Sequence, residues 1–410
     1  MNALGSSLLV LALAPAVLHA QGAVLVVKPT GAPFSTIQDA ITAAADGDTI
    51  YVHQGTYSFS LAGRSLTIAA AEGEVVSTSL AGGAKILGLQ PDDVVVLRGL
   101  RLRGLDIVHC AGTVWVEDCI VDVATPPLTV QLSHQAVFVR CDITGPFEFT
   151  DGSGFLHINS VGARLTDSVV ALFDCDVQGG AGENFHLTPL GPVGPSIGRD
   201  GIELHGGELR LSGGSVQGAK GGNGPTDSTH TCFGADGGHG VRMVDGSPSL
   251  VVHDAVIAGG IGGTAPPGCV GGQPQPGAPG EPILVQSGVV TTVPGTARQL
   301  ALGGPAIEQH VVNLDVAGVP GDTVLLLIGL EPGPVPKPVQ VGPLLVPEPL
   351  LFISLGVLGD PALLSLPVVV PELGPGVATV HAVVQGAFKP AAGPAELGSG
   401  SVLIALDSIY

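Results

Sequence analysis

Charge and aromatics are what this chain lacks. Of its 410 residues only 12% are charged and 4% aromatic, with a single Trp and two Met. Fifteen Lys and Arg stand against 35 Asp and Glu, a formal net charge of −20, so nucleic acid, anionic lipid and polyuronate surfaces are repelled unless cations bridge them. Long runs of apolar residues are missing too: LLFISLGVLG (350–359) is cut by Pro349 and by Asp360-Pro361, which leaves no segment able to span a bilayer. Long helices are disfavoured by 63 Gly and 34 Pro. What is present is 45% hydrophobic residues, too many for disorder, and the balance points to a strand-and-turn protein with a large core.

The chain opens on MNALGSSLLVLALAPAVLHA, an apolar run from Leu8 to Leu18 followed by small residues. That pattern predicts a signal peptide over residues 1–20 and a secreted or cell-surface protein. After it, Ile37, Ala40, Ile41 and Ala44 share one helical face, with Ser35 as the candidate N-cap and Gln38 as its capping-box partner. A single short amphipathic helix that leads straight into strands predicts an N-terminal capping helix over the end of a larger core.

From there a short unit recurs: VVLRGLRL (95–102), VWVEDCIV (114–121), AVFVRCDI (136–143), VALFDCDV (170–177), LRLSGGSV (209–216) and LVVHDAVI (250–257). Its sixth position is Leu100, Cys119, Cys141, Cys175, Gly214 and Ala255, small or apolar each time, as stacked coils produce when each sends the same position inward. Three later coils carry long Gly- and Pro-rich insertions, 178–201, 217–240 and 258–282.

The IQDAI, DGDTI and GTY segments followed by these degenerate coils resemble the pectin-lyase-like, right-handed parallel β-helix superfamily, as found in secreted bacterial β-helix repeat proteins. The expected fold is all-β: a right-handed parallel β-helix with an N-terminal capping helix over residues 21–298, then a smaller β-sandwich-like module over 299–410, where apolar, strand-length pieces such as DTVLLLIGL and SVLIALDSI alternate with turns. The resemblance implies an architecture and not a reaction, because the superfamily serves lyases, hydrolases and binding proteins.

Its hydrolases show an Asn-Thr-Asp, an Asp-Asp pair, a Gly-His-Gly and an Arg-Ile-Lys in that order. Here Gly238-His239-Gly240 matches the third and Arg199-Asp200-Gly201-Ile202 half-matches the first, while the other two are missing from their places. Lyase chemistry wants a basic residue and a cation beside a uronate, yet Arg98, Arg101 and Arg103 alternate as an outward strand face. Trp115, the one Trp able to stack on a sugar, also sits at an outward strand position.

One constellation remains. Aligning Ile202, Val241 and Ile283, the first apolar residues after the three insertions, brings Asp200, His239 and Glu281 to equivalent positions two residues earlier. Stacked, they place an imidazole between two carboxylates about 10 Å apart, near the spacing of an inverting glycosidase. The plainer alternative is that they hold the loop exits in register. Calcium is the candidate cofactor, with Glu183, Asp200, Asp227 and Asp236 as scattered ligands, although no loop has a calcium-binding spacing and no metal site is assigned. Cys232 and Cys269, one in each of two insertions, are expected to form a disulfide; Cys119, Cys141 and Cys175 read as core residues, and Cys110 has no evident partner.

The leading expectation is an exported, non-catalytic scaffold that contacts extracellular polysaccharide as a monomer, without nucleic-acid partners. The alternative is a polysaccharide lyase or glycoside hydrolase working at the loop-bearing edge through Asp200, His239 and Glu281.

Overall fold

The computed structural model describes residues 9–10, 22–79, 82–147, 149–150, 156–157, 159–188, 191–225, 233–265, 274–330, 332–333, 342–349 and 351–410. Three parallel sheets carry residues 24–293. Sheet 1 has ten strands, from Val24–Val27 to Val289–Val293; sheets 2 and 3 have eight each, from Gly55–Tyr57 to Val256–Ala258 and from Phe59–Ala62 to Ile283–Val285. The chain visits sheets 1, 2 and 3 in turn, as in Val169–Phe173, Asp176–Gln178 and Ile202–His205. Each strand pairs in parallel with its counterpart one rung on, as in the row Val137, Ala171, Arg210, Val251. This is the arrangement of a parallel β-helix. Alternate side chains point inward and build one core from Leu25 to Val252.

Two of the three corners are tight, and the residues there explain why. Between sheets 1 and 2, Gly99, Asp118, Arg140, Asp174, Gly213 and Asp254 all adopt a left-handed backbone. The next residue in each rung is the inward column seen in the repeat, and its carbonyl continues the ladder: Asp142 N–H donates to Cys119 O at 3.0 Å and Asp176 N–H to Cys141 O at 2.9 Å. Between sheets 3 and 1, Gly88, His109, Leu132, Asp167 and Gly206 form a second left-handed column. A left-handed residue other than Gly costs roughly 1–2 kcal/mol, so these corners stand only because the ladders on both sides dictate them. An insertion there would interrupt a column. Insertions accordingly collect at the third corner, between sheets 2 and 3: 145–162, 179–201, 218–240 and 259–282.

The helix forms at Ile37–Ala43, and Ile37, Ala40 and Ile41 are buried against the first strands. Its N-cap is Thr36 rather than the expected Ser35: Thr36 has extended backbone angles and its Oγ1 accepts Asp39 N–H at 3.0 Å. Gln38 closes no capping box, since its Oε1 accepts Ser60 N–H at 2.8 Å across to the first rung.

Beyond Val293 the strands pair mostly antiparallel. Glu396–Leu406, Thr379–Lys389, Thr323–Gly329 and Leu351–Val357 make most of a five-stranded sheet. Gln299–Leu302, Val311–Ala317 and Leu363–Val369 form a second sheet, whose edge also pairs with Leu9–Val10. The segment leaves the last rung and runs back along the left-handed corner. Ala297 N–H donates to Asp254 at 2.8 Å, Gln299 to Asp174 at 2.5 Å, Arg140 to Leu300 O at 3.0 Å and Arg98 to Leu302 O at 2.6 Å.

The five-stranded sheet then covers the outer face of sheet 1, where Tyr51, Val96, Trp115 and Val137 pack against Leu327, Leu345, Val402 and Ile404. Alternation places Arg98 and Trp115 outward, as the sequence predicts, but neither meets solvent: Trp115 is 0% and Arg98 1% exposed.

Candidate functional site

Asp200, His239 and Glu281 stack on successive rungs, because Ile202 pairs with Val241 and Val241 with Ile283. Their side chains do not converge on a common point. The Asp200 carboxylate accepts His239 N–H at 2.7 Å, and His239 Nδ1 accepts Glu281 N–H at 2.9 Å. Each side chain thus serves a main-chain donor of the next rung, and the neutral His239 ring carries its proton on Nε2. Burial pushes the Asp200 carboxyl above the ordinary carboxylate range, against the pull of the His239 N–H.

The same device recurs in the insertions. Asn184 accepts Asn223 N–H at 2.8 Å, Asn223 accepts Thr264 N–H at 3.0 Å, and Asp236 accepts Ala278 N–H at 2.7 Å. Between these ladders the main chains bond directly: Ala219 N–H to Arg199 O, Gly238 N–H to Ala219 O and Gly260 N–H to Gly238 O, at 2.8, 2.9 and 2.7 Å. Outgoing and returning chains of consecutive insertions therefore form a two-layer bundle.

Glycine makes the bundle possible. Gly218, Gly221 and Gly224, Gly234, Gly237 and Gly240, and Gly259 and Gly262 recur every third residue, the turn of an extended polyproline-II-type chain. Glycines beside a histidine at a loop exit suggest a turn, and these make none. Gly237 and Gly238 have no left-handed φ; a Cβ there would lie 2.2 Å from Gly260 O and 2.0 Å from Arg199 O. Close approach of neighbouring chains is what excludes a side chain. The three-residue period was the signal that could have shown this.

An open groove of about 760 Å³ lies next to the ladder on the outer face of sheet 3, lined by Arg164, Thr166, Glu203, His205, Arg242 and Asp245 among others. Asp200, His239 and Glu281 are not in its lining, and Arg242 Nη1, 3.9 Å from Asp200 Oδ2, links the two. Polar groups of the groove pair across rungs: Arg164 Nη2 meets Glu203 at 2.9 Å, and His205 Nδ1 is hydrogen-bonded to Asp245 at 3.0 Å. Sequence reasoning missed this row because it treated the inserts, not the strands beside them, as the exposed edge.

Cys110, Cys119, Cys141 and Cys175 are buried free thiols, with burial pushing Cys110, Cys119 and Cys175 up. Cys232, Cys269 and the calcium candidate Asp227 lie outside the described residues. Among the described residues no group of three or more Asp, Glu, His or Cys comes together to hold a metal, and Asp200 and Asp236 each spend an oxygen on the bundle. No helix among them is long and apolar enough to cross a membrane. No protein-family model matches the chain, and no curated protein is significantly similar to it.

Proposed function

We propose that this chain is an exported, non-catalytic scaffold of the right-handed, pectin-lyase-like kind, its helix serving as a lid and its C-terminal strands as a β-sandwich module. Its groove on sheet 3 contacts neutral extracellular polysaccharide. The observation that carries this reading is the sheet 3 groove: rows of Arg, Glu, His and Asp repeat along the helix axis, one rung every ~4.8 Å, and offer hydrogen bonds to an extended polymer. A net charge of −20 favours neutral over anionic chains. Against catalysis stands the use of Asp200 Oδ1 and His239 Nδ1 as acceptors for main-chain N–H groups, a structural role that accounts for the placing of both side chains.

The test pairs binding with turnover. The mature protein is incubated with a panel of neutral and acidic polysaccharides, with and without calcium, and assayed for retention, reducing ends and unsaturated uronides. Retention on a neutral polymer without cleavage, weakened several-fold in Arg164→Ala and Arg242→Ala, is the expected result. Cleavage lost in Asp200→Ala and Glu281→Ala would overturn it in favour of a lyase or hydrolase.

A further inference from the structure

The two ends of the parallel sheets are unlike. At the first end the helix Ile37–Ala43 packs over the opening strands and buries Ile37, Ala40 and Ile41. At the other end nothing equivalent follows among the described residues. Ile283–Val285 and Val289–Val293 are the last strands of sheets 3 and 1, and the chain then turns back along the corner instead of crossing the end.

The core columns are therefore open there. By register Val285 continues the inward column of Met243, and Thr292 that of Val252, yet Val285 is 47% exposed and Thr292 is exposed as well. Ile257, Ile283 and Val290 are only partly buried. Three strand edges with unpaired main-chain groups surround this apolar patch, an arrangement that soluble proteins normally cover or charge.

Charge is what this end lacks. From Ala255 to Ala297 the sole Asp, Glu, Lys or Arg is Glu281, in a chain of net charge −20. Two copies of so acidic a protein repel each other least through a surface of little charge, and this end, with Glu281 alone in that stretch, is such a surface. Strand edges are best satisfied by other strand edges, and an identical rung supplies three in matching places. Since the opposite end is occupied by the helix, copies cannot add head to tail; they can meet only open end to open end, about a twofold axis that makes the joined strands antiparallel and closes the assembly at two.

We infer that the uncapped rung formed by Val256–Ala258, Ile283–Val285 and Val289–Val293 is a self-association surface, and that the protein is a twofold dimer joined end to end. This departs from the monomer expected from sequence. Sedimentation velocity on the full mature chain between about 1 and 100 μM tests it. The expected outcome is a dimer mass, with Val285→Lys and Thr292→Lys each weakening association at least tenfold, while Val75→Lys, at an exposed site on an early rung, leaves it unchanged. Circular dichroism and melting of each variant separate lost association from lost folding. A monomer across the whole range overturns the inference, and so does a dimer that persists in a folded Val285→Lys/Thr292→Lys double variant.

Discussion

The outer faces of sheets 1 and 3 belong to the same rungs and are built by the same alternation, yet they treat charge in opposite ways. On sheet 3, Arg164 and Glu203 pair in solvent, with their side chains 45% and 16% exposed. On sheet 1, Glu117 is fully buried beneath the C-terminal strands, where its carboxylate accepts Arg140 at 2.5 Å, Trp115 Nε1 at 2.9 Å, Val402 N–H at 2.9 Å and the Ser401 hydroxyl. Arg98 lies beside it and donates to the carbonyls of Leu302, Gly303 and Val402. A strand face becomes a docking surface when its apolar neighbours are large enough to exclude water and its charges are few enough to be paired, Arg98 Nε alone of these groups being left without a partner.

Removing Glu117 breaks the comparison most severely. Glu117→Ala takes one of its two carboxylates from buried Arg98, leaving only Asp118 at 3.3 Å, and strands the donors of Trp115 and Val402, at an expected cost of about 3–5 kcal/mol. Glu203→Ala, the matched change on sheet 3, is expected to cost at most about 1 kcal/mol because water replaces the lost partner. Chemical denaturation of both variants, with limited proteolysis of the C-terminal segment, measures the gap. Equal losses would mean that the C-terminal strands do not hold sheet 1 dry.

A smaller and pH-dependent effect sits at the margin between covered and bare surface. Asp174 lines a crevice of about 480 Å³ between the parallel sheets and the C-terminal strands, and burial raises its carboxyl to about 6 despite hydrogen bonding from Gln299 and the charge of Arg140. A carboxyl raised in the folded state holds its proton longer there than in the unfolded chain. Its contribution to stability is present below the ordinary carboxylate value near 4 and is lost as pH rises through about 6. Asp174→Asn is therefore expected to stabilise the protein at pH 7 by about 1–2 kcal/mol and to do nothing at pH 3.5. His381, half-buried against Thr49 and pushed down to about 4 by desolvation, acts in the opposite sense, losing stability as pH falls through about 4. Melting curves of wild type and Asp174→Asn from pH 3.5 to 8 isolate the Asp174 contribution by difference.

How far the sequence reveals this contrast depends on what each pattern reports. Alternation states which way a side chain faces, and it places Trp115 and Arg98 outward correctly; it says nothing about what lies on top, which requires the pairing of residues some 300 positions apart. The inward column of Leu100, Cys119, Cys141 and Cys175 is legible because each rung repeats the same steric demand. So is the register of Asp200, His239 and Glu281, which follows from the strands after them. Their hydrogen bonds to the next rung's main chain are not legible, because side-chain acceptors leave no mark on apolar periodicity. Glycine at every third residue does leave a mark, because a period of three fits an extended polyproline-II-type chain and neither a strand nor a turn.

The smallest expected effect tests whether sheet 3 is bare because it is used. Arg164 and Glu203 form an exposed pair worth about 0–1 kcal/mol, so Arg164→Met, Glu203→Gln and the double variant should unfold within about 1 kcal/mol of wild type, with a coupling energy inside that range. If the pair serves only as surface, polysaccharide retention should follow stability and barely change. If it serves the groove, retention should fall several-fold in the single variants while denaturation midpoints stay fixed. A double-mutant cycle read in both stability and retention separates the two, because structural coupling appears in both measurements and recognition in only one.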